Sequence, residues 1–390
     1  MKVINVLADT DSIANYAIAP LIYNKKALFE MGYDVCIKYK INDSLFECNT
    51  LCVISKPAIR ILKEKSWVFN LEGPVLNFLL QAREKVGSVI WMDDSDSTSV
   101  THFEVLPYVD KYLKKQLFKD KSLYRKDYYG GRIFSDYYHE YFDINDVDVF
   151  QQHYPLEKEF EEKIDLSWNI GLGNIHESFT LTSYLKRILP FTSSKPNYNQ
   201  KFINPKNEKP IDLYIRTSAN LTRPSVAFHR QEILRNLINY QNNHEVIAMV
   251  GSNVTNSDHT LSILLKSSSK RIPTKKIRKI MEMTKVMPSP FGWGELGVRD
   301  YEAFKYGALL LKPDMSHMET WPNLFIPEKT FVPLDWNFSD LSEKMDKILS
   351  DVTYRIEIST AGQDAYKASI SEEGMNAFCN WFSKKIEIVN

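Results

Sequence analysis

The sequence predicts an α/β protein with two Rossmann-like domains facing a cleft. Two observations carry that expectation. Apolar runs of strand length alternate with runs of helical spacing, and the rhythm restarts after a polar break near residue 200. The chain also has 390 residues and 44% hydrophobic content, enough for two ordinary α/β domains. The predicted domains are 1–190 and 211–371. Between them lies a linker at 191–210, rich in Pro, Asn, Ser and Lys. A last segment, 372–390, is helical.

In order, Lys2 to Leu7 reads as a strand ending at Ala8-Asp9. Ile18 to Met31 has helical spacing and stops at Gly32, a C-cap signal. Tyr33 to Lys38 and Thr50 to Ser55 are strands, and Pro74 to Lys85 is a helix closed by Gly87. Ser88 to Met92 is a buried strand running into Asp93-Asp94-Ser95-Asp96. Residues 103–142 break the rhythm with interleaved Lys, Arg and Tyr, and 175–190 look helical. In the second half Ile211 to Ile215 and Glu245 to Val250 are strands, with a helix over Val226 to Tyr240 between them. Thr274 to Met283 is a basic helix, Ala308 to Leu311 a buried strand, and helices follow near 339–350, 352–368 and 372–386.

Lys+Arg and Asp+Glu are 49 each, and the resulting zero net charge argues against a nucleic-acid partner. Cys36, Cys48, Cys52 and Cys379 form no Cys-x-x-Cys pair and no zinc-ligand spacing, so reduced thiols in a cytoplasmic protein are expected. The first residues lack a signal-peptide pattern, and no run of about 18 apolar residues exists. The basic-aromatic stretch 108–139 could lie peripherally on the inner membrane surface. The alternative is a solvated face, since Asp110, Asp120, Asp127 and Asp136 dilute its charge.

The most informative stretch is 289–321. Gly292 and Gly294 bound a turn that allows close backbone approach. A helix is expected to follow with Glu295, Arg299 and Glu302 on one face, ending at Gly307. A surface ion-pair ladder would explain the charges, at roughly 0.2–0.5 kcal/mol per pair. It would not explain the Gly-Trp-Gly turn. A helix N-terminus beside a glycine turn suits phosphate, and a carboxylate such as Glu302 can accept two hydrogen bonds from a sugar diol. The strand after it breaks at Lys312-Pro313-Asp314, leading to Ser316 and His317 in a loop.

This segment resembles the donor-binding motif of GT-B glycosyltransferases, in which a Glu-x7-Glu pattern precedes a small-residue turn and a buried strand. Glu302-Ala303 followed by Gly307-Ala308-Leu309-Leu310 matches the second half, while Glu295 to Glu302 is one residue short. The Arg-x-x-Glu-Ala pattern of Arg299, Glu302 and Ala303 is similar to exostosin-like and bacterial group 1 surface-polysaccharide transferases. The resemblance implies a GT-B fold with an acceptor-binding first domain and a last helix crossing back to it. It implies a nucleotide-sugar donor, and a saccharide or lipid-linked saccharide as acceptor. It gives Glu302 the donor ribose. The expected donor contacts are Gly292, Gly294, Glu295, Arg299, Glu302, Lys312, Asp314, Ser316 and His317. Arg216 and Arg230 follow the first strand of the second domain and suit phosphate.

Asp93, Asp94 and Asp96 stand at a strand end, and one of them is the candidate base for the acceptor hydroxyl. An Asx-turn or helix N-cap is the alternative. Asp94 and Asp96 could also form the Asp-x-Asp metal site of a GT-A transferase, a reading that needs only one nucleotide domain. With fixed dipoles and Arg side chains on the departing phosphate, neither a metal nor another cofactor is required. A non-catalytic nucleotide-sugar-binding protein is the remaining alternative.

Overall fold

The computed structural model describes residues 1–9, 12–63, 73–146, 155–172, 201–218, 221–252 and 272–387. The helix expected at 175–190 and the linker residues 191–200 lie outside them. The first domain contains strands β1 (Lys2–Leu7), β2 (Tyr33–Lys38), β3 (Thr50–Ile54), β4 (Ser88–Asp93), β5 (Lys111–Lys114), β6 (Gln116–Phe118) and β7 (Ile164–Leu166). All but β6 form one sheet in the order β2-β1-β3-β4-β5-β7, parallel throughout. Every residue of β3 and β4 is buried, as expected for strands covered on both faces. One cover is the Pro74–Lys85 helix, which starts with Pro at its first turn and buries Val75, Phe78, Leu79 and Ala82.

The second domain contains β8 (Ile211–Thr217), β9 (Ala248–Ser252), β10 (Thr284–Pro288), β11 (Leu309–Pro313), β12 (Met318–Thr320) and β13 (Val332–Leu334). Its sheet is also parallel, in the order β13-β11-β10-β8-β9. The remaining strands, β6 and β12, pair antiparallel with each other, so a small two-stranded sheet joins the domains. The Glu372–Ile386 helix lies on the first domain. Its Trp381 indole donates to the Ser167 carbonyl at 3.0 Å, and its Lys385 pairs with Asp165 at 2.6 Å.

The structure corrects several expectations. The helix drawn from Ile18 to Met31 is two helices, Ser12–Tyr23 and Lys25–Glu30, divided at Asn24, whose side chain donates to the Pro20 carbonyl. The stretch 108–139 is not a continuous basic face. Within it β5 is an interior strand, and Tyr112, Lys114, Lys115 and Tyr124 are buried. Lys114 tolerates this because its ammonium lies 2.9 Å from Asp93. The end of the expected linker packs onto the second domain: Ile203 is buried and Lys209 donates to the Tyr306 carbonyl at 2.7 Å. Among the described residues no helix is long and apolar enough to cross a membrane.

Candidate functional site

The carboxyl ends of both parallel sheets converge on one cleft, where open α/β sheets place their ligands. On the first domain, the three aspartates after β4 have three different environments. Asp93 is wholly internal and accepts from the Tyr112 hydroxyl at 2.5 Å and the Lys114 ammonium at 2.9 Å. Burial alone would raise its pKa. The Lys114 and His102 charges outweigh that and leave it well below the usual carboxylate range. Asp96 reaches the surface but pairs with Lys56 at 2.8 Å and Lys115 at 3.4 Å. Its recessed position raises the pKa, and the two lysines overcome this to bring it to about 2. Asp93 and Asp96 are therefore engaged as counterions.

Asp94 differs. One oxygen, Oδ1, accepts from the Ser55 hydroxyl at 2.6 Å and the Lys56 amide at 2.9 Å. The other, Oδ2, is buried and has no hydrogen-bond partner. Asp94 lines an open pocket with Tyr16, Lys115, Trp168, Asn169 and Ile170. The hydrogen bonds hold the carboxylate while Oδ2 stays unused. Among the described residues no group of three His, Cys, Asp or Glu side chains is placed to hold a metal ion. Asp94 and Asp96 do not form a chelating pair, because Asp96 is turned onto two lysines and one oxygen of Asp94 is held by Ser55 and Lys56.

On the second domain the glycine turn follows β10. The helix after it runs from Val298 to Lys305, so Glu295 precedes the helix and does not share a face with Arg299 and Glu302. Asp300 closes the helix start by accepting from the Gly297 amide at 2.8 Å. Close approach of backbone requires glycine at Gly294, while Gly292 faces a side chain. A Cβ at Gly292 would strike the Arg230 guanidinium, and one at Gly294 would strike the backbone of Asp96. Glu295 is fully buried and its carboxylate is bonded to Ser97, Thr98 and Gln116 of the first domain.

Arg299 and Glu302 belong to a cationic cluster. The Arg299 guanidinium lies 6.0 Å from the Tyr214 ring centroid, and its Nη1 is buried with no hydrogen-bond partner. Burial raises the Tyr214 pKa, against the pull of Arg299 and Arg216. Arg230 donates to the carbonyls of Phe291 at 2.9 Å and Ser218 at 3.0 Å. Burial, reinforced by repulsion from Arg299, brings its pKa to about 10. Glu302 is pushed up by burial despite Arg299, Lys305 and Arg278 nearby. Lys305 falls to about 8 through burial and the Arg278 charge. Burial raises the Tyr16 pKa in the first domain, and the Glu302 charge adds to the rise.

The other expected donor contacts are placed differently. Lys312 is interior, ion-paired with Asp300 at 3.0 Å, because the helix-capping carboxylate needs a counterion. Asp314 accepts from the Ser316 hydroxyl at 2.5 Å in a local turn. The His317 ring is packed near Phe118 and Trp336, with Nε2 3.7 Å from Glu295. Sequence reasoning missed Tyr16, Lys115, Trp168, Tyr214, Arg278 and Lys305. Tyr214 alone carried a signal, two residues before Arg216 on the same strand, and the others enter through tertiary folding.

No protein-family model matches the chain, and no curated protein matches it. Solved structures do. A glycosyltransferase from Rickettsia africae ESF-5 is similar at TM-score 0.51 and 10% identity, over 98% of this chain and 97% of that one. The S. aureus MnaA–UDP structure is similar at TM-score 0.48 and 11% identity, over 98% and 97%. An α-glucosyltransferase in complex with UDP is similar at TM-score 0.47 and 9% identity, over 99% and 100%. At such identities the likeness concerns the fold alone. The chain has an α/β fold of two Rossmann-like domains, the GT-B arrangement.

Proposed function

We propose that the protein is a glycosyltransferase that moves a sugar from a nucleotide-sugar donor to a saccharide or lipid-linked saccharide acceptor. The single observation that carries the reading is Arg299, which shares the Val298–Lys305 helix with Glu302, lies 6.0 Å from the Tyr214 ring centroid and has a buried Nη1 with no hydrogen-bond partner. Guanidinium groups match diphosphate oxygens, and a carboxylate matches a ribose diol. Many chemistries share the fold, so the site rather than the fold supports this reading.

In the proposed reaction Asp94 Oδ2 takes the proton of the acceptor hydroxyl. The acceptor oxygen bonds to the anomeric carbon. The bond from that carbon to the diphosphate oxygen breaks, and the electron pair leaves with the nucleoside diphosphate. Arg216, Arg230 and Arg299 stabilise the departing charge. A role in bacterial surface polysaccharide synthesis is the pathway that fits the sequence resemblance.

The test is a thermal-shift panel of UDP-, GDP-, CMP- and dTDP-sugars, since a binder raises the apparent stability by mass action. One diphosphate sugar is expected to give the largest shift, lost in Arg299→Ala and reduced in Glu302→Gln. Asp94→Asn is expected to retain that shift and lose sugar transfer. Undiminished affinity in both Arg299→Ala and Glu302→Ala would overturn the donor site. Activity abolished by excess EDTA would favour the metal-dependent GT-A alternative.

A further inference from the structure

Two carboxylates cross the boundary between the domains in opposite directions. Glu295, from the second domain, is 0% exposed. It accepts from the Thr98 amide at 3.0 Å, the Ser97 hydroxyl at 3.0 Å and the Gln116 side-chain amide at 2.8 Å, all in the first domain. Asp146, from the first domain, is 7% exposed. It accepts from both the amide and the hydroxyl of Ser225 in the second domain, each at 2.8 Å. Each carboxylate thus takes one backbone N–H and at least one serine hydroxyl from the other domain.

We infer that Glu295 and Asp146 are reciprocal clasps that hold the two domains together without any ligand. A buried carboxylate is retained only when its lone pairs are satisfied, and here the hydrogen bonds within 3.0 Å come from across the boundary, with His317 of the second domain 3.7 Å from Glu295. Separating the domains would leave both carboxylates and their donors to be resolvated together. Other contacts follow the same seam. The β6–β12 ribbon pairs Phe118 with Met318 and Gln116 with Thr320. Gly294 rests on the Asp96 backbone, and Arg132 Nε donates to the Trp293 carbonyl at 2.9 Å. Glu295 therefore acts as a positioning residue. It pins the turn that leads into the Arg299 helix onto the loop that carries Asp96.

Hydrogen exchange and small-angle scattering on the full chain test this without any nucleotide, so the outcome does not depend on the donor reading. The wild-type chain in buffer alone is expected to scatter as the closed arrangement. Glu295→Ala is expected to speed exchange at Thr98 and across β6 and β12 by at least about tenfold, while β3 and β10 keep their protection. Asp146→Ala is expected to do the same at Ser225. Should either alanine variant fail to fold, Glu295→Gln and Asp146→Asn retain an acceptor oxygen and are expected to give a smaller increase at the same amides. Wild-type scattering that requires separated domains, or wild-type exchange at the seam in the folded variants, overturns the inference.

Discussion

The carboxyl end of β4 and the Val298–Lys305 helix are both dense in charge, yet they are built differently. After β4, Asp93 is matched by Lys114, and Asp96 by Lys56 and Lys115. Around Glu302 stand Arg299, Lys305 and Arg278, with Arg230 beyond Arg299, and Arg299 Nη1 has no hydrogen-bond partner. Matched charge serves the fold. Cations gathered against their own repulsion cost stability, and such an arrangement is retained where a ligand supplies the missing anion. Asp94 Oδ2 is the exception in the first region, an acceptor held in place and left unused.

The comparison breaks most visibly at Lys114. Lys114→Met leaves the Asp93 carboxylate buried without its counterion and should cost about 3–5 kcal/mol of unfolding free energy, read by denaturant titration. Arg299→Met should do the reverse. Its stability should stay within about 0.5 kcal/mol of wild type, and nucleotide-sugar affinity should fall by roughly 1.5–3 kcal/mol, on the order of 10- to 150-fold. Equal stability losses in the two variants would erase the distinction between the regions.

Much of the architecture was legible because it rests on local pattern. The Pro74–Lys85 helix has Pro at its start and apolar spacing within, and β4 is a plain apolar run. What was not legible depends on distant partners. Lys111 to Lys114 reads as a solvated basic face until Asp93 is brought beside Lys114, a neutralisation that no local rule encodes. Glu295 reads as a ligand contact because it precedes Arg299 at helical spacing. Its actual donors, Thr98 and Gln116, lie nearly two hundred residues earlier in the chain. Asp94 could be named from sequence as one of three aspartates, but only its packing separates it from Asp93 and Asp96.

His229 sharpens the comparison on the acid side. It is buried, with Nε2 accepting from the Phe291 amide at 3.0 Å and Nδ1 bonded to the Tyr138 hydroxyl of the first domain. Burial first, then Arg230 and Lys312, push its pKa well below 6.5. The unfolded chain therefore binds this proton more readily than the folded one. The stability His229 contributes is present above about pH 6.5 and is lost as pH falls, by at most about 1.4 kcal/mol per pH unit. Denaturant titrations from pH 7.5 to 5 should show that slope, and His229→Gln should lack it.

Lys305 gives the smallest effect and the clearest sign. Burial and Arg278 bring its pKa to about 8, with Glu302 pulling the other way. Without nucleotide, the unfolded chain holds this proton more tightly between about pH 8 and the ordinary lysine value near 10.4, so Lys305 makes stability rise with pH over that window. A bound diphosphate reverses the preference, because it favours the ammonium form. Nucleotide-sugar affinity should therefore fall several-fold as pH rises through about 8, while the empty protein becomes more stable. Calorimetric titration at pH 7 and pH 9 reads the first trend, and denaturant titration reads the second. Lys305→Arg keeps its charge across the range and should flatten both. A structural lysine with no part in binding would give the stability trend alone, and that result would move Lys305 from the unmatched region to the matched one.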